Sequence, residues 1–284
     1  MVRCSATTSP STSGAEALVR AADDEAARTY EALRARAESD PAILAFWLGG
    51  SRGMGFATPH SDYDVGVIVA EDAYDAILQQ LGMAAPYQAD WRPGVDLSVR
   101  TFPMLKAFAA WDSAERGYRY MFAHLKALVD KTGRAQPLID AKARVPTEAI
   151  AHFVHGSLDH ALNQAYRGLK CLRDGDAPAG RLEAAEGVGP FLDAAFALHG
   201  ARLRPYYKYL GWELATFPLQ QLPLGPAELS RRLSAALDPG GAGSLCRLLA
   251  DAEPAFREAG YGAAYDGWGT TLPWILAGKA VGAP

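Results

Sequence analysis

Residues 47–69 constrain this chain most: Trp-Leu-Gly-Gly-Ser-Arg-Gly-Met-Gly-Phe-Ala-Thr-Pro-His-Ser-Asp-Tyr-Asp-Val-Gly-Val-Ile-Val. The apolar run 43–48 leads in as a buried strand, and a glycine-rich turn comes after it. A second apolar strand is expected over 65–69, with Asp62 and Asp64 at its mouth. Strand side chains alternate between faces, so positions 62 and 64 point the same way. Two carboxylates on one face, beside a glycine-serine turn, can hold divalent cations against phosphate oxygens.

The remaining pattern divides the chain in two. A helix is expected over 15–38, ended by Asp40-Pro41 because proline disfavours helical backbone at the residue before it. A short helix comes next over 71–81, with Tyr74, Ile77, Leu78 and Leu81 on one face and Gly82 at its end. Strands are expected over 87–91 and 95–101 around the turn Arg92-Pro93-Gly94. In the second of these, Val95, Leu97 and Val99 alternate with Asp96, Ser98 and Arg100, which predicts a half-buried strand with a polar face. Broken helix over 102–120 and a last short strand over 125–129 complete this half.

Residues 137–146 read as a boundary. Beyond them the pattern is helical: 147–174, then 181–200 with a kink or break at Gly187-Val-Gly-Pro190, then shorter pieces over 226–237, 243–250 and 252–259. The expected fold class is α+β. A disordered tail over 1–14 precedes a catalytic domain with a small mixed sheet over 15–140 and an all-helical domain over 146–284.

Composition narrows the function. With 49% apolar residues in a chain of 284, a packed core is available. The net charge of −4 argues against a nucleic-acid partner and suits a cationic small substrate. Cys4, Cys171 and Cys246 are widely separated, which fits a reducing, cytoplasmic compartment, and no apolar run reaches membrane-spanning length. His152, His155 and His160 lack a zinc-completing partner at a known spacing and read as helix-surface residues.

Asp96 supplies a third carboxylate on a strand. Such hard oxygen ligands select Mg²⁺, and two ions would suit an in-line phosphoryl displacement. Gly49-Gly50-Ser51, with Arg52, would face the phosphates through backbone N–H groups and a hydroxyl. The bland alternative is a solvated β-turn whose aspartates satisfy nearby N–H groups.

Gly-Gly-Ser with Asp62-x-Asp64 beginning eleven positions after Ser51, then an apolar strand, resembles the polymerase β-type nucleotidyltransferase superfamily. Within it, the chain is similar to bacterial antibiotic (aminoglycoside and lincosamide) nucleotidyltransferases, which carry a helical domain after the catalytic one. The resemblance covers residues 43–101 and is only general beyond them. It implies that Asp62 and Asp64 bind two Mg²⁺, that Asp96 binds one of them and helps deprotonate the acceptor, and that Gly50 and Ser51 hold the triphosphate of ATP or another NTP. The acceptor would be a hydroxyl of a small molecule, cationic if aminoglycoside-like.

The helical half offers further candidates. Asn163, Tyr166, Arg167 and Lys170 fall at i, i+3, i+4 and i+7 on one helix, and the resemblance suggests Arg167 and Lys170 as triphosphate ligands, against a plain solvated face. Glu183 and Glu186, with Asp193 beyond the expected break, could bind a cationic acceptor. Glu186 could act as base if burial raised its pKa. In Arg202-Leu-Arg-Pro-Tyr-Tyr-Lys-Tyr-Leu-Gly-Trp212, aromatic rings could stack on a base and Lys208 could reach a phosphate, or the cluster could simply pack between helices. A protein AMPylator of the minimal antitoxin type, a non-catalytic nucleotide-binding protein and a homodimer are left open.

Overall fold

In the computed structural model, which describes residues 12–280, the chain separates into two units, 1–143 and 144–284. The first is built on a five-stranded mixed sheet. Its strands are β1 (Ile43–Leu48), β2 (Tyr63–Val69), β3 (Tyr87–Arg92), β4 (Val95–Arg100) and β5 (Ala127–Asp130), in the order β3-β4-β2-β1-β5. Only the β2–β4 pairing is parallel. It sets Asp64 opposite Asp96, with Val65, Val67 and Ile68 opposite Leu97, Val99 and Arg100.

Side-chain alternation decides what covers each face. Helix α1 (Thr12–Ser39) lays Ala26, Tyr30, Leu33 and Ala37 along one stripe at the spacing of a helix face. That stripe meets Val65, Val67, Val69, Val95, Leu97 and Val99, and Ile77 and Leu81 of α3 (Tyr74–Leu81) join the same core. The one-turn helix α2 (Gly50–Gly53) stands where a glycine turn is expected between β1 and β2. Over the opposite face lie α4 (Phe102–Ala107), a 3₁₀ segment (Ala114–Phe122) and α5 (Ala135–Lys142), which bury Phe102, Leu105, Phe122 and Ile139 around Trp47 and Ile68. Gly66 is required there: a Cβ would come within 2.0 Å of the Trp47 indole, so only glycine lets that ring lie on the sheet.

Two expectations for this unit need correction. Ser98 and Arg100 are not a solvated polar face but are buried, at 8% and 9% exposure. Period-two alternation reports which face a residue takes, not whether that face is wet. Here the Arg100 guanidinium lies 4.2 Å from the centre of the Phe108 ring and donates to the Ser98 hydroxyl. The division between the two units lies at 143/144, within the expected boundary 137–146, and α5 runs up to it at Lys142 with Ile139 in the core. Helix α1 begins at Thr12, so the expected tail is helical over 12–14, and residues 1–11 lie outside the described residues.

The second unit is helical, with α6 (Ile150–Arg173), α7 (Ala177–Leu198), α8 (Tyr207–Thr216), α9 (Pro226–Ala235), α10 (Ala242–Glu258), α11 (Gly262–Asp266) and α12 (Leu272–Ala277). The predicted break in α7 is absent: the helix continues through Pro190. An interior proline costs about 3 kcal/mol. Burying Phe191 and Leu192 completely, at about 1.5–3 kcal/mol each, offsets that cost. The two pieces expected over 243–259 are likewise one helix, α10, continuous through Pro254. Gly187 lets α7 and α10 approach closely, since a Cβ there would meet Leu245 Cδ2 at 2.4 Å.

Gly66→Ala should therefore cost about 1–3 kcal/mol or more, the usual penalty for overpacking, read as a lower urea midpoint followed by Trp fluorescence. Lys142 yields a second expectation. It is 4% exposed, its Nζ donates to the carbonyls of Lys106 and Phe108, and burial with the charges of Arg119 and Arg100 pushes its pKa down to about 8. Between pH 8 and the ordinary value of 10.5 the unfolded chain holds the proton and the folded chain releases it. Stability of the wild type relative to Lys142→Met should thus rise across that window by roughly 1–3 kcal/mol, measured by urea unfolding at stepped pH.

Candidate metal centre

Two pieces of chain place the three aspartates of the candidate site. Asp64 stands near the start of β2 and Asp96 near the start of β4, and the parallel register makes them neighbours. Asp62 lies two residues before Asp64, in the segment entering the strand. One carboxylate oxygen from each of Asp62, Asp64 and Asp96 lies within 4.8 Å of the other two. Asp62 is exposed, and Asp64 and Asp96 are half-buried.

The glycine turn is tied to this cluster by its backbone. Gly49 N–H donates to the Asp64 carbonyl at 2.7 Å. Gly50 has φ of +59°, which favours glycine, and a Cβ there would sit 1.7 Å from Asp64 Oδ2. The Asp64 carboxylate can therefore lie against the Gly50 backbone only because no side chain intervenes.

Ser51 and Arg52 brace the loop that carries Asp62. The Ser51 hydroxyl donates to Ser61 Oγ at 2.7 Å, and Ser61 Oγ also accepts from Thr58 N–H at 2.9 Å. Arg52 Nε donates to the Ser61 carbonyl at 2.9 Å, its Nη2 pairs with Asp23 of α1, and its guanidinium lies 4.1 Å from the Tyr63 ring centre. Tyr63 in turn stacks on Tyr30, with ring centroids 5.0 Å apart.

Sequence patterns miss the partners of Asp96. Tyr87 OH donates to Asp96 Oδ2 at 2.9 Å, and Asp90 N–H donates to Oδ1 at 2.7 Å. Partial burial, the bond to Asp96 and the charges of Asp96, Asp64 and Asp62 push the Tyr87 hydroxyl up to about 12. Asp90 has φ of +48°, a conformation that aspartate tolerates better than most residues. Its side chain accepts from Gly94 N–H at 3.0 Å, so an aspartate four residues ahead of the glycine of a Pro-Gly turn is the signal available in the sequence.

The candidates in the second unit are held by neighbours within that unit. Arg167 pairs with Glu183 at 2.6 Å, Lys170 Nζ lies 5.2 Å from the Tyr166 ring centre, and Lys208 Nζ lies 4.7 Å from that of Tyr209. Tyr166 packs on Trp268 and Trp274, with centroids 5.6 and 5.8 Å away. Arg204 pairs with Asp193 at 2.9 Å and Arg202 with Glu213 at 2.7 Å. Glu186 is exposed on regular helix, so neither the irregular backbone nor the burial expected to make it a base is present. The three histidines of α6 are also exposed.

Three carboxylates without sulfur or imidazole fit a hard divalent cation of the Mg²⁺ class. Like charges about 4 Å apart repel by about 1 kcal/mol in water and about 4 kcal/mol near a protein surface, so a bound cation would relieve real strain.

No protein-family model and no curated protein matches the chain. Among solved structures it is similar to a nucleotidyltransferase-like protein from Exiguobacterium sibiricum 255-15, at 14% identity and a TM-score of 0.39, covering 82% of this chain and 77% of that one. The case for chemistry at this site rests instead on the three carboxylates and the turn beside them.

Adding Mg²⁺ or Mn²⁺ should raise the melting temperature of the wild type and leave that of Asp64→Asn unchanged. In chelator, Asp64→Asn should melt no lower than wild type, because the substitution removes repulsion. Differential scanning fluorimetry with and without the ions checks both, and an ion-dependent shift retained by the variant would refute the assignment.

Proposed function

We propose that this chain is a nucleotidyltransferase that moves a nucleoside monophosphate, AMP from ATP, onto a hydroxyl of a small molecule in the cytoplasm. The leading acceptors are antibiotics of the aminoglycoside and lincosamide type. The observation that carries this reading is the convergence of Asp62, Asp64 and Asp96 beside the Gly49-Gly50-Ser51 turn.

Asp62 and Asp64 would hold two Mg²⁺, with Asp96 completing one of the two sites. Bound there, the ions supply neutralisation of phosphate charge. The chain's own groups do the rest. Backbone N–H groups at Gly50 and Ser51 offer donors to the triphosphate, as the first N–H groups of a helical turn have no partner within it. The acceptor oxygen forms a bond to the α-phosphorus, the bond from that phosphorus to the β-bridging oxygen breaks, and pyrophosphate departs. The acceptor proton passes to Asp96, which belongs to the same unit as the other two carboxylates, whereas exposed Glu186 lacks the environment of a tuned base. Arg167, Lys170 and Lys208 remain proposed phosphate ligands of the helical unit, and the net charge of −4 favours a cationic acceptor over a nucleic acid.

The test is pyrophosphate release with each of the four nucleotides against a panel of hydroxylated antibiotics and metabolites. Asp64→Ala should lower the rate by at least about 100-fold, the scale on which charge-stabilising groups act, with an unchanged circular dichroism spectrum. A variant rate near wild type would sink the proposal. Label transferred only to protein would replace the small-molecule acceptor with a protein one.

A further inference from the structure

The feature that the proposed chemistry does not absorb is the way β3 is bent around Asp96. Gln88 pairs with Leu97, yet Arg92 pairs with Val95, so residues 89–91 face the single residue Asp96. Such bulges break the ladder and re-aim groups near active sites. Here the result is specific. The bulge turns Asp90 N–H toward Asp96 Oδ1, and its φ of +48° is stabilised by the bond from Gly94 N–H to the Asp90 carboxylate. Just before the bulge, Tyr87 pairs with Ser98 and sends its hydroxyl back to Asp96 Oδ2.

We propose that Tyr87 is a positioning residue: its hydroxyl, with the bulge amide of Asp90, fixes the rotamer of Asp96 so that this carboxylate converges with Asp62 and Asp64. The inference rests on the reading of the three aspartates as a metal centre. A carboxylate at a strand start can turn about two side-chain bonds, and one donor leaves one of those rotations free. Two donors arriving at different oxygens from different residues hold both. Among the described residues these are the two groups that donate to Asp96, and Tyr87 supplies the only side chain of the pair. The phenol is 51% exposed and lies outside the hydrophobic clusters of the sheet, so its hydroxyl can be removed without opening a cavity.

Groups that orient a metal ligand without touching the metal matter in proportion to the freedom they remove, and their loss costs about 10–100-fold in affinity. The experiment is a Mn²⁺ titration of the full-length protein, without nucleotide, read by the free-ion EPR signal. Wild type should bind, Asp64→Asn should lose binding, and Tyr87→Phe should bind about tenfold more weakly at an unchanged melting temperature, the low end for such partners. In the transfer assay Tyr87→Phe should need more Mg²⁺ for half-maximal rate while the nucleotide KM at saturating Mg²⁺ stays at the wild-type value. A purely structural tyrosine would lower the melting temperature and leave the ion affinity alone. Equal Mn²⁺ affinity in wild type and Tyr87→Phe overturns the positioning role and leaves the proposed function standing. Failure of the wild type to bind Mn²⁺ overturns both, and the two outcomes are distinguishable in one data set.

Discussion

The parallel pairing of β2 with β4 is the constraint on which the rest of the site depends. It puts Asp64 beside Asp96 against their mutual repulsion, which at such separations costs about 1–4 kcal/mol depending on solvent exposure. What enforces the register is the other face of the same strands. Val65, Val67, Val69, Val95, Leu97 and Val99 are all buried against α1 and α3. At about 1.5–3 kcal/mol each they contribute on the order of 10 kcal/mol, an upper-bound figure that still exceeds the repulsion. A slip of one residue would send the aspartates into that apolar layer and the valines out of it. The core thus holds three acids together, a tension that the carboxylates alone would resolve by moving apart.

Two glycines make the arrangement sterically feasible, for different reasons. Gly50 combines a left-handed φ with a backbone surface on which the Asp64 carboxylate rests. Gly66, two residues along β2 from Asp64 and on the same face, receives the Trp47 indole that fills the sheet between β1 and the helices above it. One glycine shapes the site and the other the floor behind it. Neither role derives from flexibility as such; both come from an atom that is absent.

Much of this is legible from residue order. The apolar run Ile43–Leu48 is β1 without adjustment, the Pro93-Gly94 turn separates β3 from β4, and Asp62, Asp64 and Asp96 do meet. The misreadings share a cause: a local pattern does not settle a matter decided by tertiary packing. Ser98 and Arg100 alternate as a wet face would, but they are buried. Pro190 is a helix breaker by local rule, yet α7 continues because the residues around it are buried in the bundle. Glu186 stands out in the sequence because a break would open the backbone beside it, and without the break it is an ordinary exposed glutamate. Tyr87 escapes a sequence reading for the converse reason, since a bulge is a property of two strands and no single-strand pattern encodes it, and the spacing of Asp90 to Gly94 is the one trace of it in the residue order.

The same distinction between local and packed charge bears on the cations of the helical unit. Arg167 is paired with Glu183, with the arginine side chain 55% exposed and the glutamate 18% exposed, so the pair lies nearer to the surface case, worth about 0–1 kcal/mol, than one with a fully buried partner. An anionic ligand could draw Arg167 from Glu183 at less cost than it could draw Arg202 from Glu213. Arg202 stands differently: its partner Glu213 is 2% exposed, and breaking a buried pair by removing one partner costs about 3–5 kcal/mol. A cation is the more readily drawn away when its present partner keeps contact with water, and by that criterion Arg167 stands ahead of Arg202, which belongs to the fold. The dense cationic-aromatic run around Arg202, conspicuous in an acidic chain, is for that residue a packing device, and the plainer arginine of α6 is the one whose pairing is more readily exchanged.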